Sequence, residues 1–135
     1  MKIIKVGKDL WHWMVKYLDY LLPEFVTDHS FAVMRQGEIV AAFCYHERGI
    51  NHWEVTICAK NPLWCCKSVV KYILDYPFKV LRAHRLSAQC LAGNKAAAKL
   101  VEGVGFTREG VLRQYFNGAD VISYSMLRGE NGRYS

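Results

Sequence analysis

Apolar residues along the chain alternate between two periods. Residues 2–6 have the short alternation of a strand. Leu10, Trp13, Met14, Tyr17, Leu18 and Leu21 then recur at helical spacing, with Pro23 closing the run. Residues 31–34 and 39–45 read as strands joined across Gln36-Gly37-Glu38, a hairpin composition. Residues 52–59, rich in β-branched and aromatic side chains, form another strand. In the helix that follows, Cys66, Val69, Val70 and Ile73 make the apolar stripe. Lys67, Lys71 and Asp75 take the wet face, where Lys71 reaches Asp75 one turn on, and Pro77 is expected to end the helix.

Residues 85–91 read as a strand, after which Asn94 caps a helix whose buried stripe is Ala97, Leu100, Val101 and Val104. Gly105 supplies the left-handed residue that stops it, and Phe106 folds back onto Val101. Strands over 110–116 and 121–127 close the pattern, joined by the tight-turn pair Asn117-Gly118. The order β, α, β, β, β, α, β, α, β, β predicts an α/β fold: a mixed sheet with helices on its faces. Residues 1–128 make one domain, and the polar stretch 129–135 reads as a flexible tail.

Composition narrows the function classes. An apolar share of 52% over 135 residues suits one folded domain with a modest core. No apolar run approaches the ~20 residues of a membrane span, and the charged start lacks a signal-peptide core, so a soluble cytoplasmic protein is expected. Five cysteines, with no CxxC pair, indicate neither a disulfide framework nor a metal site. A net charge of +6 favours an anionic partner, but its scatter along the chain argues against a nucleic-acid arm. Phosphate-loop, nucleophile-elbow and zinc-helix motifs are absent.

The stretch from Tyr72 to Arg128 carries an ordered set: Phe78, Arg85-Leu86, Asn94, Gly105-Phe106, Glu109-Gly110-Val111-Leu112-Arg113, Asn117-Gly118, Asp120 and Tyr124. This set resembles the GCN5-related N-acetyltransferase (GNAT) superfamily, and within it the branch of bacterial ribosomal-protein N-terminal acetyltransferases. The short N-terminal half is similar to compact bacteriophage versions. The resemblance implies a mostly antiparallel sheet of about seven strands whose two central strands splay apart to admit acetyl-coenzyme A. Those strands are 52–59 and 85–91. The pantetheine arm is then expected along the backbone of Ile57, Cys58 and Ala59, in the manner of an added strand, with Asn94 and Lys99 of the next helix on its other side.

The family pattern breaks at the pyrophosphate loop. Its expected Arg/Gln-x-x-Gly-x-Gly/Ala falls on Asn61-Pro62-Leu63-Trp64-Cys65-Cys66, with Pro62 and Trp64 where glycines are usual. Two readings follow. In one, Pro62 begins the helix, the N–H groups of Leu63, Trp64, Cys65 and Cys66 face the phosphates, and Lys67 adds charge, with Trp64 covering the loop or the adenine. In the other, cofactor binding has lapsed and the fold binds a protein or other anionic partner.

Acetyl transfer needs a neutral amine and a proton for the departing thiolate. On the splayed strand and its hairpin neighbour, Glu54, His52, His46 and Glu47 are the candidate bases, and the resemblance favours Glu54. The family's thiolate-protonating tyrosine falls near Val101 and the branch's serine at Ala97 or Ala98, all inert, which leaves Tyr124 or water as the acid. Cys58 reads as a buried hydrophobe, so direct transfer is expected. The acceptor implied by the resemblance is a protein or peptide amine, and the chain is expected to be a monomer or homodimer.

Overall fold

The computed structural model describes residues 1–17, 26–60 and 64–134. Seven strands form one sheet in the order β1-β2-β3-β4-β5-β7-β6. They are β1 (Lys2–Lys5), β2 (Ser30–Arg35), β3 (Glu38–Gly49), β4 (His52–Ala59), β5 (Arg85–Leu91), β6 (Thr107–Phe116) and β7 (Ala119–Leu127). Every neighbouring pair is antiparallel except β4 and β5. That exception follows from the connection, because a parallel pair needs a crossover and α2 (Lys67–Asp75) lies between them in sequence. The hairpins turn on Gln36-Gly37 and Asn117-Gly118, where both residues of each pair have positive φ.

Two apolar layers sandwich the sheet. On one face, Leu10 and Met14, from the short 3₁₀ turn Lys8–Leu10 and α1 (Trp11–Met14), pack on Ala32, Ala42, Cys44 and Cys58. Of the predicted first helix, Tyr17 lies in a turn beyond α1, while Leu18, Leu21 and Pro23 fall outside the described residues. On the other face, α2 buries Val69, Val70, Ile73 and Leu74 against Phe31, Phe43, Tyr45 and Leu86. Next to it, α3 (Lys95–Val104) lays Leu100, Val101 and Val104, all partly buried, on the same core. No helix among the described residues is long and apolar enough to cross a membrane.

Local signals act as expected around α3. Asn94 Oδ1 accepts from the Ala97 amide at 3.1 Å, and Gly105 closes the helix at φ 118°, a conformation that costs glycine nothing. The Phe106 amide then returns to the Val101 carbonyl at 3.2 Å. On α2, Lys71 Nζ meets Asp75 Oδ2 at 2.6 Å. The last segment is placed too: Gly132–Tyr134 forms a 3₁₀ turn, and partly buried Tyr134 packs on the core.

Pro77 does not end α2. The helix widens into a π turn over Tyr76–Val80, with Pro77 and Phe78 buried. Proline has no N–H to give the carbonyl four residues back, which is that of Ile73. The hydroxyl of Tyr45, wholly buried on β3, donates to that carbonyl at 2.6 Å. A sheet side chain thus replaces the missing helical donor, and the widened turn proceeds. Tyr45→Phe removes the donor and leaves a buried carbonyl unsatisfied; we expect a loss of about 1–3 kcal/mol, read by urea denaturation. An unchanged midpoint would show that the widened turn holds without the tether.

Candidate active site

β4 and β5 pair at only three positions: His52 with Arg85, Trp53 with Leu86 and Glu54 with Ser87. Beyond Glu54 the strands separate, while β4 stays paired to β3 as far as Ala59 and β5 stays paired to β7 as far as Leu91. The edge of β4 from Val55 to Ala59 that faces β5 therefore has no strand partner among the described residues. An apolar cavity lies in this wedge, lined by Val55 and Ile57 of β4, Ala88 of β5, Leu100 and Val101 of α3, and Trp64.

A row of buried polar side chains crosses the sheet where the wedge closes. Register places His46, Glu54, Ser87 and Ser125 side by side on β3, β4, β5 and β7. All four are buried, at 9%, 9%, 6% and 4% exposure. Adjacent members stand one strand spacing apart, about 4.8 Å. His46 Nε2 lies 3.4 Å from Glu54 Oε2, and Arg48 Nε lies 3.8 Å from Glu54 Oε1. His52 Nε2 and Ser87 Oγ share a hydrogen bond of 2.5 Å. Arg85 grips Glu109 with both guanidinium nitrogens, and Glu109 sits at a bulge of β6 that brings it over the row.

Burial sets the protonation of this group. It pushes the Glu54 carboxyl above its usual range, against the opposing pull of Arg48. It also lowers His46 to about 4, assisted by Arg48 and His52, and lowers His52, assisted by Arg85 and Arg48. Both imidazoles therefore stay neutral near neutral pH, and Glu54 is the one member of the row whose basicity burial raises.

The other expected residues are spread around the wedge. Ile57 lines it, and Ala59 ends β4 against the core. Cys58 points to the opposite face, where burial lifts its thiol to about 12. Leu63 and Pro62 lie outside the described residues. The helix they were expected to begin starts at Lys67, with Cys66 as its extended N-cap. The Cys66 amide is spent on the Trp64 carbonyl at 3.0 Å, so Cys65 and Cys66 precede the helix and do not form its first turn. Lys67 and Cys65 are exposed; Cys66 is half-buried, its thiol drawn below the ordinary value by the Ser68 hydroxyl and by backbone amides of Val69 and Ser68. Trp64 does not lie over the loop: its indole is 4% exposed, inside the core. Asn94 and Lys99 are exposed at the start and middle of α3.

Tyr124 lies behind the wedge, paired with Ala88 across β5 and β7. Its hydroxyl donates to Glu102 Oε2 of α3 at 2.7 Å, and burial, then this bond, raise it to about 12. Sequence reasoning missed Ser87, Ser125 and the Arg85–Glu109 clamp. Arg85 and Glu109 were legible as motif positions, but only register brings them together.

No protein-family profile matches the chain. The uncharacterized N-acetyltransferase p20 of Bacillus licheniformis is 28% identical over 89 residues, which cover 63% of this chain and 46% of the relative. The chain thus spans about half the length of that relative. Likeness to solved structures extends further. A GNAT-family acetyltransferase from Bacillus anthracis superimposes with a TM-score of 0.67 at 20% identity, covering 93% of both chains. A mutant spermidine N-acetyltransferase from Vibrio cholerae does so with 0.76 at 17% identity over 100% of both.

Between pH 6.5 and about 4, the unfolded chain binds a proton on His46 that the folded protein refuses, so folding stability falls as pH drops through this window. His46→Gln is expected to flatten that slope in urea midpoints taken across the window. Equal slopes for variant and wild type would show an imidazole that is not held neutral. With this wedge and this strand order, the chain has the fold of the GNAT acetyltransferases.

Proposed function

We propose that the protein is an N-acetyltransferase that moves an acetyl group from acetyl-coenzyme A directly to a primary amine of a protein or peptide. The observation that carries this reading is the end of β4–β5 pairing after Glu54, which leaves a strand edge open beside a row of buried polar groups that includes a carboxyl of raised pKa. An open edge accepts an extended amide-bearing arm as a further strand would. Ile57, Cys58 and Ala59 present backbone groups for it; Lys67 and Asn94 at exposed helix starts, and exposed Lys99 in the middle of α3, suit the phosphates. Acetyl-coenzyme A, when bound, supplies the acetyl group as a reactive thioester.

Glu54 takes the proton from the attacking amine, with neutral His46 beside it and Arg48 at the rim. Its raised pKa makes it the stronger base of the carboxylates at hand. Tyr124 stays protonated at neutral pH and holds a proton for the leaving side once its bond to Glu102 is exchanged. Cys58 and Cys44 do not serve as acetylated nucleophiles, because thiols near 12 are almost wholly protonated at neutral pH. Charge bears on the acceptor. A protein of net charge +6 with Arg48 beside its base disfavours a polycation such as spermidine relative to a single peptide amine.

Acetyl-coenzyme A at millimolar concentration is expected to raise the melting temperature, because a ligand of the native state must stabilise it. No shift would count against the enzyme. Asn94→Ala is expected to weaken that affinity and to cost about 1 kcal/mol of stability through the lost cap; full affinity would remove Asn94 from the site. With a peptide acceptor, Glu54→Gln should abolish the acidic limb of the pH–rate profile. A surviving limb would assign the base elsewhere, and spermidine turnover exceeding that of peptides would replace the acceptor class.

A further inference from the structure

The wedge is open as a set of strands but not as a space. Beyond Glu54, β4 and β5 have parted, yet the cavity between them measures only about 40 Å³. That volume holds a few water molecules. An arm lying along β4 as an added strand needs a full strand spacing of about 4.8 Å along its length. Among the side chains that crowd this space, Trp64 is the largest. Its indole is 4% exposed and lines the cavity together with Ile57 of one strand and Ala88 of the other. The described residues that line this cavity are apolar, so the contacts they offer the indole are apolar.

The backbone beside Trp64 is suited to movement. Cys66 is extended, at φ −119° and ψ 162°, and α2 begins only at Lys67. One backbone bond, from the Cys66 amide to the Trp64 carbonyl, ties the indole's own residue to the helix start. Cys65, between them, is exposed. α2 itself is held to the sheet by its buried Val69, Val70, Ile73 and Leu74.

We propose that Trp64 is a resident plug of the wedge: its indole fills the place of the thioester arm in the free protein and leaves when acetyl-coenzyme A enters. This rests on the acetyltransferase reading given above and adds to it a self-occluded resting state. Binding then draws on the fraction of molecules with the indole out, and the apparent affinity is reduced by that fraction. Burial of a large aromatic side chain sets that fraction at about one in ten or less.

The test uses the full chain and acetyl-coenzyme A itself. Trp64→Ala, checked by circular dichroism, is expected to bind acetyl-coenzyme A about tenfold more tightly than wild type by calorimetry, although its own melting temperature falls. In a second protein, Trp11, Trp13 and Trp53 are replaced by Phe, so that Trp64 alone emits. Saturation should then shift its emission to the red and open it to acrylamide quenching. Equal or weaker binding by Trp64→Ala, or emission that stays blue at saturation, overturns the plug while leaving the acetyltransferase reading intact. If Trp64→Ala fails to fold, the emission measurement decides alone. Absence of binding by wild type and Trp64→Ala together would instead remove the acetyltransferase reading and the plug with it. Binding gained only by Trp64→Ala supports both.

Discussion

The structure turns on the point where β4 and β5 stop pairing. Three residue pairs hold the two halves of the sheet together, and each half keeps its own ladder to the end. A seven-stranded sheet in which one internal seam closes for three positions has an edge inside the fold. Backbone groups on such an edge need partners, and solvent, packed side chains or an incoming chain can supply them. The catalytic possibilities follow from that one break, because it sets polar groups at the closed end of the seam and apolar groups along its open length.

The two sides of the sheet divide the work. On the α1 face, the row His46, Glu54, Ser87 and Ser125 is where titratable groups gather, and Arg85 with Glu109 braces its far end. On the other face, α2 and α3 cover the wedge with aliphatic side chains and one indole. The tether from Tyr45 to the Ile73 carbonyl ties α2, the helix over the wedge, to β3. The buried polar row and the apolar wedge thus lie on opposite sides of a single layer of backbone.

Much of the fold was legible in the chain. His52–Ala59 and Arg85–Leu91 stand with the bounds that their alternation indicates, and Asn94, Gly105 and Phe106 cap and clasp α3 as their residue types require. Pro77 was read as a stop because local rules see only its missing donor; the donor comes from a strand distant in sequence. The loop before α2 was misjudged for a related reason. Pro62 is a good first helical residue, but burial of Trp64 and Val69 on the core sets where the helix begins, at Lys67.

Periodicity, caps and turn pairs by themselves determined the order of elements and the presence of a helix between 52–59 and 85–91, since each depends on neighbours in the chain. Residue type also made Glu54 a candidate. Tertiary structure alone decided that Glu54 sits in a row with Ser87 and Ser125, that Tyr124 faces Glu102, and that the indole of Trp64 lies in the wedge. Register between strands far apart in sequence, and the competition among apolar side chains for one buried space, are properties of the packed molecule, and no local pattern encodes them.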